Sequence, residues 1–183
     1  MKFIIIPMFF LFFSLQLRSQ ELSSAYYHVH AGIEQDILPY FLKGFNISAW
    51  AGMKNTRLRF NYAQANTPKF WMADGIVKER IAATQVAVDF FLKKDFKGFW
   101  FGPGLGHWQT SLMTEQQEKR NFPGIVFSAG SGYNWNFYKG FYLSPYIAGH
   151  MRISGTKNIE MGTLHYRPSL MFPEISLKLG WKF

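Results

Sequence analysis

The chain has 183 residues, which is enough for one domain with a sizeable core, and it contains no cysteine, which excludes disulfides, thiolate metal ligands and lipid-modified cysteines. Charged residues make up only 17% of the chain and aromatic residues 19%, a poor composition for a water-facing surface. The net charge of +9 comes from Lys and Arg residues that are scattered singly, so we expect no nucleic-acid partner.

The first segment of the chain, residues 1–19, has the pattern of a cleavable signal peptide. Lys2 is followed by a mostly apolar run from Phe3 to Leu17 and then by polar residues. This run is shorter than the roughly 20 apolar residues that a spanning helix needs, so an uncleaved anchor helix is the less favoured alternative. We therefore predict export and a mature domain of residues 20–183, with Ser23-Ser24-Ala25 as an alternative cleavage region.

Alternation of apolar and polar residues with a period of two dominates the rest of the chain, as in β-strands with one apolar face. In the segment 123–138, for example, Ile125 and Phe127 lie on one face, whereas Ser128 and Gly130 lie on the other. No segment of useful length has a convincing helical period. Eight segments are predicted as strands: 24–35, 44–53, 56–66, 79–92, 97–112, 123–138, 141–154 and 170–183.

The connections between these predicted strands alternate in length. Lys54-Asn55 joins the second strand to the third, and Lys139-Gly140 joins the sixth to the seventh. The connections after the first, third, fifth and seventh strands are long, including a predicted loop at 113–122. Short turns on one side and long loops on the other are typical of barrels in the bacterial outer membrane. An even number of strands places the end of the chain at the side of the short turns.

The polar face of the strands indicates which side is inside the barrel. It is rich in small residues such as Gly104, Ser128 and Gly130, which suit the crowded interior of eight strands. The apolar face is broad and aromatic, which favours contact with lipid over the alternative of a soluble barrel with an apolar interior. The predicted fold is an all-β, eight-stranded, antiparallel, up-and-down transmembrane β-barrel. Three prolines within predicted strands are expected to mark bulges: Pro103, Pro145 and Pro173.

Together with "KGFYLSPYIAG" at 139–149 and the terminal "LGWKF", these features resemble the small eight-stranded outer-membrane β-barrel proteins of Gram-negative bacteria. The resemblance implies a monomer in the outer membrane, in contact with its lipids and lipopolysaccharide. It also implies that the barrel-assembly machinery reads the last strand during insertion. The residues expected to form the periplasmic aromatic girdle and this C-terminal signal are Phe99, Phe137, Phe141, Trp181 and Phe183.

Charged residues on the polar face must pair or stay hydrated inside so narrow a barrel. We predict a structural network that plugs the lumen, in preference to a solute path. Its expected members are Glu34, Arg57, Arg59, Asp89, Arg152, Glu174 and Lys178. A metal site at His28 and His30, with Glu34 or His150 as third ligand, is a weaker alternative.

Catalytic patterns known from lipid A-modifying barrels are incomplete in this chain. His107 is followed at four residues by Ser111, which is too far along a strand for direct proton transfer, and His165 with Ser169 is only a loose match. We therefore predict no catalytic residues, no cofactor and no metal. The predicted function is a structural or surface-interaction role, with a lipid A-modifying enzyme or a narrow small-solute channel as alternatives.

Overall fold

The structure is a computed structural model that describes residues 28–183 except Thr163. The proposed signal peptide, residues 1–19, lies outside the described residues. Among the residues described, no helix is long and apolar enough to cross a membrane. The regular elements are β1 (His30–Asp36), α1 (Leu38–Phe41), β2 (Phe45–Met53), β3 (Thr56–Asn66), β4 (Ile76–Phe91), β5 (Gly98–Thr114), β6 (Lys119–Tyr138), β7 (Phe141–Gly155), β8 (Ile159–Met161), β9 (Leu164–Tyr166) and β10 (Met171–Lys182).

Eight of these strands form a closed barrel in the order β1-β10-β7-β6-β5-β4-β3-β2. Every neighbouring pair is antiparallel, and the barrel closes where β1 meets β10, with Ile33 opposite Trp181. The predicted eight-stranded antiparallel barrel is therefore confirmed. The last strand is held on both sides, because the backbone N–H of Phe183 donates to the carbonyl of Ala31 and that of Lys182 donates to Gly140.

Apolar side chains cover the outside of the barrel, and polar side chains fill its inside. Leu58, Leu105 and Ile147 are each more than half exposed, whereas Arg57 and Ser144 are fully buried. The alternation of exposed and buried residues runs through most of β5 and β7. This arrangement excludes a carrier with an apolar interior. It is the arrangement expected of a barrel whose outer surface contacts the hydrocarbon of a membrane.

The prediction of a loop over residues 113–122 is wrong. Strand β5 continues to Thr114 and β6 begins at Lys119, so only residues 115–118 connect them. The strands continue because Leu112 and Phe122 still point inward and are buried against Ile159 and Met161 of the β8–β9 hairpin. The other predicted long connections contain α1, a 3₁₀ turn at Lys69–Trp71 and the β8–β9 hairpin.

The expectation of bulges at the three prolines is also wrong. Pairing of β4 with β5 lapses opposite Pro103 but resumes at Phe90 in the same register, and β6 pairs with β7 in one register on both sides of Pro145. Pro173 lies beyond the end of β1, where β10 has lost the partner to which an N–H would donate. The missing donors are therefore tolerated without an extra residue. The register shifts instead at Ile76/Lys78, Ile125/Val126 and Asn136/Tyr138.

Candidate functional site

We call the end of the barrel with the short turns the inner end, and the end with the longer connections the outer end. The inner half of the lumen is filled by an ion cluster. Arg57 Nη1 lies 2.7 Å from Glu34 Oε1, and Arg57 Nε lies 2.8 Å from Asp89 Oδ2. Arg59 donates to both oxygens of Asp89, each at 2.9 Å. These four side chains are almost completely buried, so each charge depends on its partners rather than on water.

Aromatic rings surround this ion cluster. The hydroxyl of Tyr142 donates to Glu34 at 2.7 Å, and the indole N–H of Trp50 donates to the same hydroxyl at 2.8 Å. The guanidinium of Arg57 lies 5.2 Å from the ring centre of Trp50 and 5.1 Å from that of Phe91. The ions and rings together close the inner half of the lumen. The buried aromatic cluster consists of Trp50, Phe91, Phe96, Trp100, Tyr142 and Tyr146.

Above this plug, the outer half of the lumen contains a cavity of about 420 Å³. Its lower wall carries small side chains, among them Ala87, Gly130 and Ala148, and its upper wall carries larger rings such as Trp108 and Phe172. Lys178 lies at the boundary between the two halves, with its Nζ 4.1 Å from the ring centre of Tyr146. The cavity extends to residues of the outer connections, including Pro39, Pro68 and Ser169.

A chain of three hydrogen-bonded side chains lines this cavity. Ser128 on β6 and His150 on β7 are directly opposite in the sheet, and Ser128 Oγ lies 2.7 Å from His150 Nδ1. The other ring nitrogen, Nε2, lies 2.7 Å from Oε2 of Glu174 on β10. Oε1 of Glu174 accepts from the Tyr146 hydroxyl at 2.5 Å, and that hydroxyl also contacts Asp36. A hydroxyl, an imidazole and a carboxylate in this order form the arrangement used for nucleophilic catalysis.

A third group of residues lies near the outer end of the barrel. The hydroxyl of Tyr166, in the outer hairpin, donates to Glu79 Oε1 at 3.0 Å, and burial raises the pKa of this tyrosine, so it stays a donor. Arg152 packs its guanidinium 5.5 Å from the ring centre of Phe122. Its Nε and Nη1 have no hydrogen-bond partner among the described residues, so Arg152 stands apart from the ion cluster.

The structure thus brings together four of the residues predicted for the lumen network, Glu34, Arg57, Arg59 and Asp89, with Lys178 against their aromatic neighbours. Glu174 belongs instead to the chain that contains Ser128. Sequence alternation placed both Ser128 and His150 on the polar face but did not indicate that they meet. The signal that could have found the pair is the register of the β6–β7 hairpin.

The other candidates from the sequence are not brought together. His30 packs edge-on against Phe96 at 5.9 Å, and no group of three or more potential metal-binding side chains occurs in residues 28–183 as far as the structure describes them. His107 is opposite Ile125 and points outward. His165 Nδ1 lies 3.9 Å from Glu160, while the Ser169 hydroxyl donates to the carbonyl of Met171.

Aromatic residues form a band on the outer surface near the inner end. Phe141 and Trp181 stack with their ring centres 5.8 Å apart and their planes 12° apart. Trp181 also contacts Phe183 edge-on at 4.7 Å, and Phe137 lies 6.4 Å from Phe141. Phe99, on β5, is 59% exposed in the same band. Such a band of amphipathic and apolar rings is the feature that membrane barrels place at the boundary between lipid and water.

A closed ring of eight antiparallel strands, apolar outside, polar inside and belted by aromatic residues, defines the class of small transmembrane β-barrels of the outer-membrane type. No protein-family model matches the sequence, and no curated protein matches it either.

Solved structures of this fold are nevertheless similar to the chain. The crystal structure of Neisserial surface protein A (NspA) is 10% identical, covers 86% of this chain and 97% of its own, and has a TM-score of 0.57. The N-terminal β-barrel domain of Pseudomonas aeruginosa OprF is 13% identical, with coverages of 85% and 96% and a TM-score of 0.46. At these identities, the likeness to NspA shows the fold alone.

Proposed function

We propose that the chain is an integral outer-membrane barrel with a structural or surface-interaction role. The outward apolar face and the aromatic band support residence in a lipid bilayer. The fold is that of a protein named for its place on the Neisserial surface, which supports the same location. Exposed aromatic residues on the outer connections, above all Phe41, Phe70 and Trp71, offer a surface for contact with other molecules.

One observation carries the choice of this role over that of a channel: the buried ion cluster at the inner half of the lumen. Arg57, Glu34 and Asp89 are held by short bonds to one another and are packed among aromatic rings. A continuous solute path would need these groups to separate, which would leave buried charges without partners. The cavity therefore opens toward the outer end only, as far as the described residues define it.

Two partners belong to the same proposal. Basic side chains near the outer end, such as Lys69 and Lys78, are exposed and can contact the phosphates of lipopolysaccharide. At the inner end, β10 finishes with Trp181 and Phe183, and we propose that this aromatic end is read by the barrel-assembly machinery during insertion. The barrel is proposed to act as a monomer.

The proposal is tested by fractionating cells and comparing heated with unheated samples on a gel. A folded barrel is expected in the outer-membrane fraction, with a mobility that changes on boiling. Reconstitution in planar bilayers then separates the two roles: the closed lumen predicts no stable conductance steps. Recovery of the chain in the aqueous fraction would contradict the membrane location, and steady single-channel steps would replace the structural role with the channel.

A further inference from the structure

We propose that the outer half of the lumen is an acyl-ester hydrolase site in which Ser128 is the nucleophile and His150 the general base. This inference goes beyond the structural role proposed above. It rests on three independent features of the described residues: a hydrogen-bonded chain, a cavity beside it and an unpaired, buried hydrogen-bond donor on a residue of the cavity wall.

The hydrogen-bonded chain has the geometry of an activated nucleophile. Ser128 Oγ and His150 Nδ1 are 2.7 Å apart, within the range for direct proton transfer. With Nε2 protonated, His150 donates to Glu174 at 2.7 Å, which fixes the ring and leaves Nδ1 free to accept from the serine. Glu174 is a positioning residue, held in turn by the hydroxyl of Tyr146 at 2.5 Å.

Among the described residues, no other inward-facing serine contacts an imidazole, and the hydroxyl of Ser176 donates instead to a carboxylate oxygen of Asp36. The hydroxyl of Ser48 donates to the side-chain oxygen of Asn61 at 2.5 Å, and that of Ser144 accepts from the indole of Trp100 at 3.0 Å. Neither the amide oxygen of Asn61 nor the indole of Trp100 can remove a proton from a serine at neutral pH. The pairing with an imidazole and a carboxylate therefore distinguishes Ser128 from the serines that only fill the lumen.

The cavity provides room for an acyl chain directly below the nucleophile. Gly130 and Ala148 form the inward-facing pair next to Ser128 and His150. A side-chain carbon built on Gly130 would make only ordinary contacts, 3.5 Å from Ala148 and 3.7 Å from Trp100, so the wall beneath Ser128 can accommodate a further methyl-sized group. A volume of about 420 Å³ with a closed floor suits the acyl end of an ester that enters from the outer side, rather than a polymer that passes through.

A donor for the carbonyl oxygen lies in the same wall. The ring of Trp108 is centred 5.2 Å from that of His150, and its indole N–H is buried without a hydrogen-bond partner among the described residues. An unpaired buried donor is costly, and a bound ligand oxygen would satisfy it. We assign it to the oxygen that becomes negative when the carbonyl is attacked.

The reaction balances without any further reagent except water. Ser128 Oγ attacks the ester carbonyl carbon, and its proton passes to His150 Nδ1. The bond between the carbonyl carbon and the alcohol oxygen then breaks, and the proton on Nδ1 is transferred to that oxygen. Water next attacks the acyl-serine, giving a proton to His150, and Ser128 recovers a proton as the carboxylic acid leaves.

The test uses the mature barrel, purified and folded in detergent, with a fluorescent fluorophosphonate and with p-nitrophenyl butyrate. We expect covalent labelling that mass spectrometry maps to Ser128, and ester hydrolysis above the rate in buffer. Absence of labelling in wild-type protein that passes the heat-modifiability test would overturn the hydrolase proposal and leave the barrel proposal intact. Mapping on the wild-type chain decides the matter even if a variant does not fold.

Variants separate catalysis from structure. Ser128→Ala should abolish labelling, and His150→Gln should slow it at least about 100-fold, because the general base is lost. Ser131→Ala is the matched control, since that hydroxyl lies on the same strand, is exposed and donates to the carbonyl of Trp100. Its labelling should equal that of the wild type. Labelling that persists in Ser128→Ala at the wild-type rate would contradict the assignment.

Glu174→Gln tests the positioning role. Without the hydrogen bond from His150 Nε2 to a carboxylate, the ring is less firmly held with Nδ1 toward Ser128, so kcat for p-nitrophenyl butyrate should fall while KM stays unchanged. A Glu174→Gln variant with the wild-type kcat, or with a loss that appears in KM alone, would contradict this role for Glu174.

Discussion

Arg57 on β3 and Glu34 on β1 meet at 2.7 Å, although β2 lies between their strands in the barrel wall. The ion pair therefore spans the inside of the barrel instead of following a single pair of neighbouring strands. Strand β1 closes the barrel against β10. Through Arg57, this contact therefore connects the closing strand to Asp89 on β4.

Asp89→Asn should destabilise the barrel strongly. Asp89 balances both Arg57 and Arg59, and its loss leaves buried cations with less compensation. Removing one partner of a buried ion pair costs about 3–5 kcal/mol. The free energy of unfolding in urea, followed by tryptophan fluorescence in lipid vesicles, measures the effect. Asp74→Asn, in an exposed outer connection, is the control and should change it by less than about 0.5 kcal/mol.

Two glycines in the lumen should respond differently to the same change. A methyl group on Gly180 would overlap the ring of Tyr142, whereas one on Gly130 would make ordinary contacts. Gly180→Ala is therefore expected to cost about 1–3 kcal/mol through overpacking, while Gly130→Ala should be close to neutral. Urea unfolding of the two variants side by side measures the two losses in the free energy of unfolding. Equal losses would mean that Tyr142 moves aside for the methyl group on residue 180.

A charged side chain halfway along the outward apolar face should lower the free energy of unfolding because that face contacts lipid. Ile147 lies in the middle of β7 between Ser131 and Ile175, and it is 60% exposed. Ile147→Lys is expected to lower the free energy of unfolding by about 2–4 kcal/mol in vesicles. Phe99→Lys, next to the inner rim, should cost no more than about 1 kcal/mol. If both variants were equally stable, hydrocarbon would not surround Ile147.

The strand pattern could be predicted because lipid and lumen select opposite residue types on the two faces of each strand. Inward positions such as Arg57 and Asp89 follow from alternation alone, and the structure pairs them directly across β3 and β4. The fifth connection was mistaken for a loop because its residues are polar, although Leu112 and Phe122 continue the alternation. Packing by the β8–β9 hairpin extends those strands, and a contact so distant in sequence leaves no local pattern.

The candidate site was missed for a related reason, namely a bulge. Tyr138 pairs with Phe141 across the turn, but Asn136 pairs with Tyr142, so β6 contains one extra residue there. The shift places Ser128 opposite His150, whereas the unshifted register would place it opposite Met151 on the lipid face. Alternation on both strands required such a shift, since both residues were predicted to face inward. Its position was not visible in the sequence, and neither was the approach of Glu174 from β10.

The aromatic end of the chain yields the last prediction. Phe183 is 60% exposed and contributes little buried area, yet its backbone N–H donates to Ala31 and its ring contacts Trp181. Phe183→Ala should therefore leave the urea stability of the refolded barrel within about 1 kcal/mol of the wild type. In cells, the same change should reduce the amount of heat-modifiable barrel in the outer membrane, because Phe183 belongs to the chain end that we propose the assembly machinery reads. Leu179→Ala, on the same face of β10, is the matched control and should assemble normally. Equal assembly of the Phe183→Ala variant and the wild type would assign Phe183 to the interfacial band alone.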